Sequence, residues 1–217
     1  MREDAGTMRE RPAAMREGPS AMRLFLVRHG EAQGNREGRY LGWEDPPLTA
    51  AGEAQAARLA RRLEKVGLRL ICSSDLRRAR DTAAAIAAPH GLPVRTHPAL
   101  REAHFGEWSG LTYDEINRIA AERLEAWIAD PERQAPPGGE TLAQLRDRAA
   151  TALPRQDGAL VVTHGGILRA LLSHWTGRPF WKITAPPASL TSVVWDGERL
   201  LKVEYLGDTS HVEGDTT

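Results

Sequence analysis

The chain has 217 residues, enough for one domain with a full hydrophobic core or for at most two small domains. Its 29 basic and 29 acidic residues cancel, with a sequence pI near 7.1, which excludes an overall charge that would attract nucleic acid or an anionic membrane. Cys72 is the only cysteine, so no internal disulfide forms, and no apolar stretch is long enough for a signal peptide or a membrane span. We therefore expect a soluble, cytoplasmic protein without nucleic-acid or membrane partners.

The N-terminal segment carries a near-repeat of seven residues, with a methionine at every seventh position from Met1 to Met22. A coiled coil needs two apolar positions in each heptad and an uninterrupted helix, whereas this segment offers one methionine per repeat and contains two prolines. We predict a disordered tail over residues 1–21, one domain over residues 22–207, and a flexible C-terminal tail over residues 208–217.

From residue 23 onward, short apolar runs alternate with longer segments of helical periodicity. Strands are predicted over residues 24–27, 69–72, 94–96 and 159–163. Helices are predicted over residues 49–66, 76–88, 113–128, 140–153 and 167–175. Two further runs, 190–195 and 200–205, flank Asp196-Gly197, a pair typical of a hairpin turn. This alternation favours parallel pairing and predicts a three-layer α/β/α sandwich with a mostly parallel central sheet.

Two of the predicted strands end on a histidine. The run LFLVRHG ends on Arg28 and His29, and the run ALVVTHGG ends on His164 followed by two glycines. Ligands bind at the carboxyl ends of the strands in open α/β sheets, so both histidines are expected to face one crevice. A single histidine at a strand end is more often a polar cap, but the pair favours a functional site. The glycines allow an anion to approach the backbone closely.

Two other segments bring charged side chains to the same edge. Arg78 lies at the start of a predicted helix in LICSSDLRRARDTA, and Glu102 follows the third strand in LREAHFGEWSG. Glu102 alone would be interpreted as a solvated loop carboxylate. Together, however, two histidines, two arginines and a glutamate suit phosphoryl transfer, because imidazole attacks phosphorus, guanidinium groups balance the oxygen charges and a carboxylic acid protonates the leaving oxygen. This chemistry needs no metal and no cofactor.

Cys72 and Arg78 have the C-x5-R spacing of cysteine-based tyrosine phosphatases, and they lie between a strand and a helix as that loop would. Such a loop wraps phosphate with backbone N–H groups, usually with the help of glycine. Here the loop has no glycine, and Asp75 would place a carboxylate beside the anion. We therefore interpret Cys72 as a small buried strand residue.

Six motifs resemble, in order, those of the histidine phosphatase superfamily, also called phosphoglycerate mutase-like, across about residues 22–205. LVRHGEAQGN is similar to the family's R-H-G-E-x-x-x-N, SSDLRRARDTA to S-D-L-x-R-A-x-x-T-A, and VVTHGGILRALL to V-x-H-G-G-x-x-R. The other three are GWEDPPLTAAG, LREAHFGEWSG and PPGGET, the last similar to P-x-G-G-E-S. The resemblance implies the phosphoglycerate mutase-like fold.

The resemblance also implies a role for each site residue. His29 would be the nucleophile that becomes phosphohistidine, and Glu102 would be the acid for the leaving group and then the base for water. The residues implied to hold the phosphoryl group are Arg28, Asn35, Arg78, His164 and Gly165. The adjacent Arg77 does not precede alanine in the family pattern, so we expect it to face solvent.

The implied activity is metal-independent hydrolysis of a small phosphomonoester, as in small phosphatases of the family such as the α-ribazole phosphatases. A cofactor-dependent phosphoglycerate mutase is the alternative, because both activities begin with phosphorylation of His29. Mutases of the family usually carry a longer insertion than the one found here between Glu102 and His164, which favours the phosphatase. A non-catalytic phosphoester-binding module is the third alternative, but none of the five central residues is missing.

The substrate and the assembly stay open at this level. Five side chains would either line a leaving-group site or serve packing: Arg39, Tyr40, Trp43, Trp108 and Trp127. The partner is expected to be a small-molecule phosphomonoester. The oligomeric state is undetermined, with a homodimer as one option.

Overall fold

A computed structural model describes residues 21–212 of the chain. Its centre is one sheet of six strands, which are β1 Met22–Arg28, β2 Leu70–Ser73, β3 Val94–Thr96, β4 Ala159–Thr163, β5 Leu190–Trp195 and β6 Leu200–Asp208. The strand order is β3-β2-β4-β1-β5-β6. The first four strands are parallel, and β5 and β6 add an antiparallel hairpin beside β1. The predicted mostly parallel sheet is confirmed.

Five helices connect or flank these strands: α1 Ala50–Leu63, α2 Arg77–Ala87, α3 Tyr113–Ala129, α4 Leu142–Ala150 and α5 Gly165–Thr176. Thr49, Thr112 and Thr141 cap α1, α3 and α4 by accepting hydrogen bonds from backbone N–H groups, which explains where these helices begin. Four short 3-10 helices were not predicted from the sequence, because three residues show no helical period. No helix within residues 21–212 combines the length and the apolar character that a membrane crossing needs.

The sheet is covered on both faces, and this is why its central strands read as continuous apolar runs. Phe25 and Val27 point into a core shared with Leu59 of α1 and with α2. Leu24 and Leu26 point the other way, into a core shared with α4 and α5. The predicted three-layer α/β/α sandwich is therefore confirmed.

A third, smaller cluster lies apart from the sheet and is centred on α3. Trp108, Ile116, Leu124 and Trp127 form it, and Tyr40 and Phe105 pack against it. These aromatic rings meet edge to face, with Trp108 and Trp127 centroids 5.8 Å apart. The cluster fixes Trp127 beside the cavity described below.

The ordered domain extends further toward the C-terminus than the sequence pattern indicates. Asp208 pairs with Leu190 across the hairpin, Arg62 forms an ion pair with Asp208, and Arg58 donates to the carbonyl of Val212. The predicted tail boundary at residue 208 is therefore too early, since backbone pairing continues after the apolar pattern has ended. The N-terminal tail was predicted over residues 1–21, and all of it except residue 21 lies outside the described residues. The last five residues of the chain lie outside them as well.

Candidate active site

A cavity of about 180 Å³ opens where the four parallel strands end. Its wall includes residues from the segment that follows each of these strands, which is where the topology of an open α/β sheet places ligands. Six of the seven predicted site residues line it: Arg28, His29, Asn35, Arg78, Glu102 and Gly165. The seventh, His164, is fully buried and contacts His29 from behind.

The two histidines at the ends of β1 and β4 lie together, with ring centroids 5.0 Å apart and an interplanar angle of 63°. Nδ1 of His29 lies 2.6 Å from the carbonyl oxygen of Gly30. Only a protonated nitrogen can donate to a carbonyl, so this bond assigns the proton to Nδ1 and leaves the lone pair of the neutral ring on Nε2. The two rings therefore meet at the ends of β1 and β4, but only His29 lines the cavity.

Burial keeps both imidazoles neutral. It lowers the pKa of His29 and of His164 well below the usual 6.5, and the positive charges of Arg78 and Arg28 lower both further. A neutral ring is the form in which histidine acts as a nucleophile. Neither ring nitrogen of His164 has a hydrogen-bond partner within the described part of the chain.

Arg28 lies flat against the start of α5. A side chain at Gly165 would lie 3.3 Å from its Nη1, so the glycine is what admits the guanidinium group. Nη1 donates to the carbonyl of Ala185 at 2.6 Å, while the buried Nε has no partner among the described residues. Burial lowers the pKa of Arg28 to about 10, aided by Arg169 and Arg78 and opposed by Glu102, and the group stays charged at neutral pH.

Arg78 is 1% exposed and is held rigidly at the start of α2. Its Nη1 and Nη2 donate to the carbonyls of Glu44 and Gly42 at 2.6 and 2.8 Å. Its Nε donates to Nε2 of His29 at 3.3 Å, so the lone pair of the unprotonated nitrogen faces the guanidinium charge. The neighbouring Arg77 has a side chain that is 56% exposed, which confirms the expectation that it faces solvent.

Glu102 reaches the cavity from the loop after β3. One carboxylate oxygen accepts a hydrogen bond from the backbone N–H of Gly166 at 3.0 Å. The other accepts one from the backbone N–H of the next residue, Ala103, at 2.9 Å. A Cβ at residue 166 would overlap the carboxylate, so the second glycine of the HGG motif makes this approach possible.

Asn35 lines the cavity, and its side-chain oxygen accepts the N–H of Ala32 at 2.8 Å, which orients the amide group. Cys72 does not line the cavity. It lies on β2, packs against the core beneath α4 and α5, and burial raises the pKa of its thiol. Cys72 is a strand residue, as predicted, but it is only partly buried. The tyrosine-phosphatase loop does not fit these positions, because Arg78 reaches the cavity without the thiol.

The rest of the cavity wall is largely aromatic and apolar. Of the five side chains with an open role, Arg39, Tyr40 and Trp127 line it, whereas Trp108 is packing in the α3 cluster. Trp43 instead donates its ring N–H to the backbone carbonyl of Glu102 at 2.8 Å. Other apolar residues of the wall were not predicted from the sequence, and they include Leu41, Phe105, Leu142, Leu145, Phe180 and Trp181.

Arg169 is a charged wall residue that is the arginine of the V-x-H-G-G-x-x-R motif but was given no role from the sequence. It lies three residues after Gly166 on α5, and helical spacing therefore puts both on the face that meets Glu102. Its buried Nε has no hydrogen-bond partner among residues 21–212. Applying the helical period to the HGG motif would have identified it.

The described residues contain no group of three or more histidine, cysteine or carboxylate side chains arranged to hold a metal ion. The model of the histidine phosphatase superfamily (branch 1) matches residues 24–209. The chain belongs to this superfamily. The family match spans all of the sheet except the first two residues of β1, all five helices and every residue placed in the cavity above.

Individual relatives of this chain carry both phosphatase and mutase names. It is 38% identical to phosphoglycerate mutase-like protein 4 of Arabidopsis thaliana, over 88% of this chain and 86% of that protein. It is 35% identical to adenosylcobalamin/alpha-ribazole phosphatase of Escherichia coli K12, over 72% of this chain and 80% of that one. The solved structure of Bacillus stearothermophilus YhfR superposes with a TM-score of 0.81 at 35% identity, covering 88% of this chain and all of that one.

Proposed function

We propose that this histidine phosphatase hydrolyses a small phosphomonoester through a phosphohistidine on His29. One observation carries the proposal: Nε2 of His29 is unprotonated and accepts a hydrogen bond from Arg78, in a cavity that Arg28 also lines. Such a cavity attracts a phosphoryl group and leaves the imidazole unprotonated to attack it.

In the first step, Nε2 of His29 forms a bond to phosphorus while the bond from phosphorus to the ester oxygen breaks. Arg28, Arg78, His164, Asn35 and the backbone at Gly165 hold the three non-bridging oxygens. The carboxylic acid of Glu102 gives its proton to the departing oxygen, so the product leaves as a neutral alcohol.

In the second step, a water molecule attacks phosphorus on the side that the alcohol vacated. The Glu102 carboxylate takes a proton from this water, the bond from Nε2 to phosphorus breaks, and inorganic phosphate leaves. The enzyme returns to its starting state, with a neutral His29 and a protonated Glu102. No step calls for a metal ion.

The leaving group would occupy the aromatic part of the cavity. Tyr40, Trp127 and Trp181 offer apolar faces, and Arg169 offers a positive charge on the same side as Glu102. We propose a substrate whose alcohol has an apolar portion and a negatively charged group within reach of Arg169.

A mutase would share the first step and then return the phosphoryl group to a second hydroxyl, which requires exclusion of water. The resemblance to a phosphoglycerate mutase-like protein is the observation that favours this alternative. The 45% exposure of Trp181 in the wall favours water entry and hence hydrolysis.

The deciding experiment measures phosphate release from a panel of phosphorylated metabolites. The same enzyme is assayed for interconversion of 3- and 2-phosphoglycerate in the presence of 2,3-bisphosphoglycerate. We expect phosphate release to exceed interconversion. Interconversion well above hydrolysis would assign the chain as a mutase, and no turnover of either kind would favour a binding module.

A further inference from the structure

The backbone segment that carries Glu102 is held by one partly buried arginine. Arg148, on α4, donates through Nη1 to the carbonyls of Ala99 and Arg101 at 2.8 and 2.9 Å. Through Nη2 it donates to the carbonyl of Glu102 itself at 3.1 Å. A single guanidinium group therefore binds three carbonyl groups on the four-residue stretch that ends at Glu102.

Glu140 orients this arginine. Its two carboxylate oxygens accept from Nη2 and Nε of Arg148 at 2.6 and 3.2 Å, and the side chains of the pair are only 15% and 22% exposed. The oxygen that takes the shorter bond also accepts the N–H of His104 at 2.8 Å. The pair thus contacts the backbone on both sides of Glu102.

Glu140 belongs to the PPGGET motif, which has no role in the two steps of the proposed reaction. The motif lies against the loop of Glu102 so closely that a Cβ on Gly139 would overlap the carbonyl of His104. A Cβ on Gly106 would likewise overlap the carbonyl of Pro137. These glycines allow the two loops to touch, which brings Glu140 within reach of the backbone beside Glu102.

We propose that Arg148 and Glu140 are positioning residues that fix the Glu102 carboxylate over the leaving oxygen. The inference rests on the proposed role of Glu102 as the acid. His29, Arg28 and Arg78 are carried by β1 and α2, so a shift of the loop at residues 99–104 would move the acid and leave the nucleophile and the phosphoryl-binding arginines in place. The resulting defect is specific: protonation of the leaving group is impaired, and phosphoryl binding is retained.

The test compares phenyl phosphate, whose leaving group needs protonation, with p-nitrophenyl phosphate, whose leaving group does not. The quantity is kcat/KM, which covers the steps up to departure of the alcohol. Arg148→Lys keeps the charge, but an ammonium group cannot chelate Glu140 while binding three carbonyls. We expect kcat/KM for phenyl phosphate to fall by about 10- to 100-fold, the scale of an acid displaced by about 1 Å. The value for p-nitrophenyl phosphate should stay within about threefold of the wild type.

Glu140→Gln is a second variant with the same expectation, and it keeps the test usable if Arg148→Lys does not fold. Arg146→Gln is the matched control, because Arg146 lies on the same helix, is similarly exposed, and within residues 21–212 forms its ion pairs with Glu132 and Asp147, away from Glu102. It should leave both rates at the wild-type level.

Glu102→Gln serves as the reference for loss of the acid. Equal losses on both substrates in the Arg148 and Glu140 variants, or no loss on either, would overturn the positioning role if Glu102→Gln is itself selective. If Glu102→Gln shows no selectivity for the poor leaving group, the acid role fails and the positioning role fails with it.

Discussion

Gly166 and Glu102 meet through a hydrogen bond of 3.0 Å, in which the backbone N–H at the start of α5 donates to the carboxylate of the loop after β3. The two residues are 64 positions apart in the chain. The contact joins the motif of the second histidine to the motif of the acid, and it depends on the absence of a side chain at residue 166.

Gly166→Ala should therefore damage catalysis with little harm to the fold. The new Cβ would overlap the Glu102 carboxylate and push it from its place, while alanine suits the helix at this position. We expect kcat/KM for phenyl phosphate to fall by about 100-fold, with a melting temperature close to that of the wild type. Gly67→Ala is the control, because a Cβ there meets open space. Wild-type activity in Gly166→Ala would show that the carboxylate does not act from this position.

His29→Ala should abolish turnover, because the variant lacks the unprotonated Nε2 that faces Arg78 in the cavity. Rapid quenching of the wild-type enzyme with labelled substrate should trap the phosphoryl group on His29. The adduct should be acid-labile and alkali-stable, as expected of a phosphoramidate, and it should form equally in the presence of a metal chelator. Label recovered at another residue would refute the assignment.

Cys72→Ser is the companion variant, and it should retain nearly full activity. The thiol lies on β2 outside the cavity, and burial raises its pKa, so it is a poor nucleophile. Activity and slow alkylation of the wild-type thiol are the two measurements. An inactive Cys72→Ser protein beside an active His29→Ala protein would restore the C-x5-R mechanism.

The free energy of unfolding should fall as the pH drops through the range in which a free histidine takes up a proton. The pKa values of His29 and His164 lie well below 6.5 in the folded chain, so the unfolded chain takes up protons first as the pH drops through about 6.5. Between pH 6.5 and 5.5 each histidine should cost about 1 kcal/mol of the free energy of unfolding.

The measurement is denaturant unfolding at several pH values in phosphate-free buffer, because bound phosphate would stabilise the folded state. The double variant His29→Asn, His164→Asn removes both groups. Its free energy of unfolding should decline less over this pH range than that of the wild type. Parallel pH curves for the two proteins would show that these histidines are not held neutral.

Arg169→Gln should alter the choice of substrate more than the chemistry. The Nε of Arg169 has no partner among residues 21–212, and the side chain lines the cavity near Glu102. For an aryl phosphate with a carboxylate on its ring, we expect kcat/KM to fall by about 10-fold or more, the usual effect of losing a charged hydrogen bond. Unsubstituted phenyl phosphate should react at close to the wild-type rate. Equal losses on both esters would instead place Arg169 with the phosphoryl-binding groups.

The sequence alone determined the elements of the fold and the centre of the site. Apolar runs and helical periods are local properties of the chain, so β1, β4 and all five helices could be read from them. The convergence of His29, His164 and Arg78 followed from topology, because parallel strands end at one edge of a sheet. Glu102 was placed at the same edge because it follows the third predicted strand, although its position in a loop carries no periodic signal.

Only the tertiary structure decided how these groups are held. The proton on Nδ1 of His29 is assigned by the backbone geometry at Gly30. Contacts between segments far apart in the chain decide the rest: Arg148 binds the loop of Glu102, Trp43 binds the carbonyl of Glu102, and Trp108 packs in the α3 cluster. The extension of β6 to Asp208 is of the same kind, because backbone pairing with β5 fixes it and no side-chain pattern records it. Side-chain periodicity reports which face of an element is buried, whereas its partners are set by how the elements pack.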